Sequence, residues 1–205
     1  AIVIGLFRAI VLPMSLLLIL IEACNRITSG ILIGLAPMVT IQELGWTQIT
    51  YANWIAITGV TAAVLGVLCS PWIDRVGALR ILKWVVMLRI GLLGLTAALE
   101  PYWGIHQVFE SFLMINAVAT HLVTVTLIAL FMRLCSPRVA ASQFAVYMAL
   151  ANMTYSLGSG LMVPLSHWTH QAGIMLVCAA LIALMWLLIH WVDFERHDQD
   201  LNRLG

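Results

Sequence analysis

Charge is what this chain has least of: Asp, Glu, Lys and Arg together make up 9% of it, against 62% hydrophobic residues and a mean hydropathy of +1.02. Soluble domains carry about a quarter of their residues charged, so this composition excludes an ordinary water-soluble fold. The ten Lys and Arg residues never gather into a basic cluster rich enough to follow a phosphate backbone, which excludes nucleic acid as a partner. Cysteine is sparse as well. Cys24, Cys69, Cys135 and Cys178 are scattered, with no Cys-x-x-Cys and no His at ligand spacing, so they form neither a disulfide framework nor a metal site. No cofactor is expected.

Long polar stretches are missing too, and what fills their place is a succession of apolar runs. A helix needs about 20 apolar residues to cross the hydrocarbon core, so the length allows about six crossings with short connections. The runs place them at residues 9–38, 49–71, 83–99, 107–134, 140–164 and 173–192. The expected fold is an all-α integral membrane bundle of six helices over residues 1–192, followed by a polar tail, 193–205. Pro71 is expected to end the second crossing. The first run is too long for a signal-peptide core and contains Glu22 and Arg26, so it reads as a retained crossing. The start at Ala1 without Met reads as a fragment or a processed piece.

Cations orient the bundle, because short cytoplasmic loops retain Lys and Arg. Arg8, Arg75, Arg80, Lys83, Arg133, Arg138, Arg196 and Arg203 all fall on one face, whereas the opposite connections, 40–48, 100–106 and 165–172, have none. Both termini are therefore expected in the cytoplasm. Small residues recur at Gly59, Ala63 and Gly66, at Gly91 and Gly94, and at Ser156, Gly158 and Gly160, as marks of close helix packing.

Polar groups at membrane depth need a partner, a water-filled cavity or a function, since burying a charge there costs about 2.5–3.5 kcal/mol on the insertion scale. Glu22, Asn25, Arg26 and Ser29 lie at i, i+3, i+4 and i+7 on one helical face. Two readings fit them: a self-neutralising ion pair that serves packing, or one wall of a solute cavity. On the fourth crossing Glu110 and His121 point the same way, and Asn116, Thr120 and Thr124 widen that arc. The fifth crossing adds Gln143, Tyr147, Asn152, Thr154 and Tyr155 on no single narrow face. The cavity candidates are Glu22, Asn25, Arg26, Ser29, Asn116, His121, Thr124, Tyr147 and Asn152. Asn53 and Trp54 are candidates for its rim. Arg89, six residues after Lys83, is expected to snorkel back to the surface as a structural residue.

Between the second and third runs stands Ser70-Pro71-Trp72-Ile73-Asp74-Arg75-Val76-Gly77-Ala78-Leu79-Arg80, read as a charged turn. It resembles the loop motif of major facilitator superfamily transporters, Gly-x-x-x-Asp-Arg-x-Gly-Arg-Arg/Lys, found between the second and third helices of a six-helix half. Asp74, Arg75 and Gly77 match; Ser70 replaces the first Gly, and Ala78-Leu79-Arg80 replaces the paired cations. By that resemblance Asp74, Arg75, Gly77 and Arg80 form a conformational latch. Cys135, Arg138, Ala141, Ser142, Gln143, Phe144 and Ala145 resemble the tenth-to-eleventh-helix region of the branch that holds AmpG-like muropeptide permeases with acetyl-coenzyme A and siderophore transporters. The run from Leu44-Gly45-Trp46 into Asp74-Arg75 follows the seventh-to-eighth-helix layout of the same branch.

The resemblance implies the C-terminal half of a proton-coupled solute importer working by alternating access in a bacterial inner membrane. Its partners are then the lipid bilayer, the missing N-terminal six-helix half or a second copy of the chain, a small polar solute such as a cell-wall fragment, and protons. The alternatives are a noncatalytic membrane assembly subunit and, behind it, a rhomboid-like intramembrane protease. A protease of that kind needs Gly-x-Ser-Gly, whereas Leu157-Gly158-Ser159-Gly160 has Leu at the first position, and no His-Glu-x-x-His occurs.

Overall fold

A computed structural model of the chain describes residues 12–135 and 139–192. Six long helices account for nearly all of them: α1 (Pro13–Pro37), α2 (Gln48–Val76), α3 (Ala78–Ala98), α4 (His106–Leu134), α5 (Ala140–Trp168) and α6 (Gln171–Ile189). Five of these are long and apolar enough to cross a membrane. The exception is α5, a 29-residue helix interrupted by Gln143, Asn152, Thr154 and several serines. Arg8, Arg138 and the tail 193–205, used above to orient the chain, lie outside the described residues.

Local chemistry sets the helix ends. Pro13 starts α1 where its missing amide hydrogen costs nothing. Past Pro37 the helix widens into a π-helical turn, Met38–Glu43, and the amide of Trp46 closes the end by donating to the Thr40 carbonyl at 2.9 Å. Thr47 caps α2, its hydroxyl accepting from the Thr50 amide at 3.1 Å.

The stretch 70–80 departs from the expected loop. Residues through Val76 are helical and α3 begins at Ala78, so the connection is Gly77 alone, at φ +97°. That left-handed backbone suits only glycine. Pro71 does not end α2 either, because its φ is helical and an interior proline removes one hydrogen bond, the one to the Val67 carbonyl, without forcing the chain out of the helix. Pro164 sits inside α5 in the same way.

Inside the bundle most hydroxyls turn back on their own helix. Ser29, Thr40, Ser70, Thr96, Thr124 and Thr126 each donate to the carbonyl four residues earlier, which satisfies them where water is absent.

The helices pack as a series in which α5 lies on α1, α1 on α6, α6 on α3, α3 on α4, and α4 on α2. Lipid supplies no hydrophobic drive between helices, so contact depends on close approach. At the α1–α5 crossing, a Cβ added to Gly30 would lie 2.7 Å from the Ser159 amide nitrogen, and one added to Gly158 would lie 2.7 Å from the Ile27 Cα. The two backbones touch. By contrast α2 and α5, at the ends of the series, bury only single stripes. They are Thr58, Ala62, Gly66 and Ile73 on one and Gln143, Tyr147, Ala151, Gly158 and Met162 on the other.

Arg89 is the second departure. Instead of reaching the surface it is fully buried, because α3 turns Leu82, Val85, Val86, Arg89 and Leu93 toward the other helices. The guanidinium meets α1 there.

Candidate functional site

The side of the bundle between α2 and α5 holds a cavity of about 470 Å³. Its walls come chiefly from α1, α2 and α4, with Tyr155 from α5 and Met175 from α6. Of the polar residues singled out in the sequence, Arg26, Ser29, Asn116, Thr120, His121, Thr124 and Tyr155 line it. The others lie elsewhere. Glu22 and Asn25 are buried behind Arg26; Tyr147 is buried against the Phe131 ring at 4.8 Å, accepting from Gln143 Nε2 at 2.6 Å and donating to Ser15 Oγ at 3.1 Å. Asn152 faces outward from α5, and Glu110 is partly exposed one turn into α4. At one end of the bundle Trp54 stacks on Trp46, whose indole donates to His106 Nδ1 at 2.9 Å, and Asn53 is exposed beside them. Asp74, Arg75, Gly77 and Arg80 are all exposed at the opposite end.

A chain of polar contacts runs inward from the cavity wall. Arg26 Nε donates to Glu22 Oε1 at 2.6 Å, Asn25 Nδ2 donates to Glu22 Oε2 at 3.4 Å, and Arg89 Nη1 donates to Asn25 Oδ1 at 2.7 Å. The i,i+3,i+4 spacing on α1 builds the first two links. Burial of Arg89 on α3 supplies the third, which the sequence did not show, because a cation six residues from Lys83 reads equally well as a surface residue. Arg26 thus meets the carboxylate directly and Arg89 only through Asn25, and Glu22 is the one buried acid among the described residues. Arg26 keeps 23% of its side chain exposed on the cavity side, while Arg89 is completely enclosed and its Nε and Nη2 have no hydrogen-bond partner among the described residues.

Three further buried polar atoms have no partner among the described residues: Thr28 Oγ1 on α1 and, on residues of the α4 wall, Asn116 Oδ1 and Thr120 Oγ1. Buried polar atoms are seldom left in this state unless something from outside meets them. His121, a turn away, is seated against α2, where a Cβ at Gly66 would lie 2.7 Å from its Nε2. Tyr51, Thr58 and Tyr155 complete the polar lining. Their only signal in the sequence was a polar atom within an apolar run, and for Tyr51 and Thr58 even that does not fix which way the helix turns.

The arrangement therefore sets a cation, amide- and hydroxyl-bearing side chains and an imidazole around one solute-sized space inside an apolar bundle. Such a space suits binding of a polar solute. The family model of the Major Facilitator Superfamily matches residues 18–203. No curated protein and no solved structure matches the chain. Members of the matched family are membrane transporters and not enzymes, and the match spans nearly every described helix. The chain is a multi-pass integral membrane protein that belongs to the Major Facilitator Superfamily.

Proposed function

We propose that the chain forms one six-helix half of a secondary transporter and that the 470 Å³ space is its share of the solute path. The observation that carries this reading is the cavity wall itself, where Arg26, Ser29, Asn116, Thr120, His121 and Thr124 line one space inside an apolar bundle and Arg26 keeps part of its side chain exposed. In transporters built this way, solute sites lie near the bilayer midplane between two bundles that rock against each other.

The second bundle is the missing N-terminal half or another copy of the chain. Support for it lies on α2 and α5. Ala52, Ala56, Gly59 and Ala63 on the first, and Ala145, Ala149, Asn152, Ser156 and Ser159 on the second, are exposed small or polar residues at three- and four-residue spacing. Faces of this composition allow another helix to approach closely. Proton-coupled uptake of a muropeptide-like solute belongs to the same proposal, supported by the resemblance around Cys135 to Ala145. So does a cytoplasmic face carrying Arg75, Arg80, Lys83 and Arg133 in a bacterial inner membrane, supported by their position at one end of the bundle. Asp74, Arg75, Gly77 and Arg80 act as a latch at that face.

Sealed vesicles carrying the chain together with its second six-helix bundle test the reading. Accumulation of a labelled muropeptide under an imposed proton gradient, abolished by an uncoupler, is the expected result. No uptake, together with a cysteine at Ser29 that water-soluble thiol reagents cannot reach from either side, would point instead to a noncatalytic membrane subunit.

A further inference from the structure

The solute cavity is walled by a cation whose only carboxylate partner is also engaged from behind. Glu22 accepts from Arg26 on Oε1 and from the Asn25 amide on Oε2, and Asn25 in turn accepts from Arg89. Arg89 is enclosed by α1, α3 and α6 and does not line the cavity, so no group entering the cavity reaches it. Counting the buried and cavity-wall charges of this cluster gives Arg26 and Arg89 against Glu22, an excess of one positive charge.

We propose that the cavity takes an anionic solute and that Arg89 supplies the surplus charge: with Glu22 paired to Arg26 and Arg89 held on Asn25, two guanidiniums stand against one carboxylate, and Arg26, the one exposed to the cavity, meets a carboxylate or phosphate of the solute. This rests on the cavity's being the solute path and names the class of solute that the path takes. Without Arg89, Glu22 and Arg26 would neutralise each other and the cavity would carry no net charge. With it, the surplus sits on the one guanidinium that has cavity exposure, and a guanidinium offers a fork of donors matched to a carboxylate or phosphate.

The test needs no identified solute. In a background lacking the four native cysteines, Ser29→Cys places a thiol on the cavity wall beside Arg26. Its rates with a sulfonate-bearing and a trimethylammonium-bearing methanethiosulfonate are measured in the purified full chain, each divided by that reagent's rate with free 2-mercaptoethanol. Taking the ratio of the two removes effects on the thiol itself and leaves the sign of the local potential. An excess cation gives a ratio favouring the anionic reagent, and each unit of charge removed or added shifts it by about tenfold. Arg89→Gln lowers the ratio to near unity, Arg89→Lys keeps it, and Glu22→Gln raises it. An unchanged ratio in a folded Arg89→Gln protein would show that the Arg89 charge is not felt at the cavity wall, and that outcome overturns the proposal. Should Arg89→Gln fail to give monodisperse protein, Glu22→Gln decides, since an unmoved ratio there refutes the charge sharing just as firmly. A parent ratio at or below unity also refutes it. Because the ratio is read without solute, it stands or falls separately from vesicle uptake.

Discussion

Glu22 carries more of the bundle's internal electrostatics than either guanidinium beside it. Replacing it by Gln strands Arg26 and leaves Arg89, held on Asn25, with no buried acid nearby among the described residues, whereas Arg26→Gln leaves the carboxylate still joined to Asn25 and, through it, to Arg89. An orphaned buried charge costs about 3 kcal/mol at the low end, so Glu22→Gln should lose roughly that much and Arg26→Gln markedly less. Adding Arg26→Gln to Glu22→Gln removes one of the two stranded cations and should recover part of the loss. Thermal unfolding of the four proteins in detergent checks the order; equal losses in the two single variants would show that Arg89 does not share the carboxylate. The α1 part of this cluster was legible from spacing alone, because i, i+3 and i+4 on one helix fix their own geometry. Arg89 was not, since its contact spans 64 positions and depends on how α3 turns against α1.

Among the elements, α1 and α5 depend on a contact made by backbone rather than side chains. Gly158→Ala would put a methyl group against Ile27 and Gly30→Ala would put one against Ser159, so either helix must back away from the other. Such overpacking costs about 1–3 kcal/mol, and with no flexible side chain to yield, the upper part of that range is expected here. Gly160→Ala, where an added Cβ meets nothing within 4 Å, is the matched control and should leave the melting temperature unchanged. The sequence marked both glycines as small residues but gave no means of telling them apart, since which of two neighbouring positions meets the other helix is set by rotation. Proline was misleading in a different way. Its rule as a helix breaker comes from chains in water, and within α2 and α5 the helical φ of Pro71 and Pro164 is kept while the chain continues for another turn.

At the scale of the whole molecule, the alternation of six helices places Lys83 and Glu43 at opposite ends of the bundle. Single cysteines at those positions, in a protein without the native four, should react with an impermeant thiol reagent added to opposite sides of sealed vesicles. Reaction from the same side would break the alternation. The helical class and the approximate runs were legible because apolar length alone limits what crosses a bilayer. What stayed hidden was the order of packing, since six apolar helices of similar length permit many neighbour sets and only the close approaches select one.

The interior prolines of α2 and α5, Pro71 and Pro164, leave a debt of hydrogen bonding with a definite address. Neither has an amide hydrogen, so the carbonyls of Val67 and Gly160, four residues earlier, lose their usual donor, and all four residues are exposed on the sparsely covered helices α2 and α5. Hydrocarbon cannot supply a donor, whereas water or a polar group on a neighbouring helix can. The turn of α2 that holds Val67 and the turn of α5 that holds Gly160 are accordingly poor lipid surfaces, one toward each end of the bundle. A membrane that wrapped both would be the wrong solvent for them.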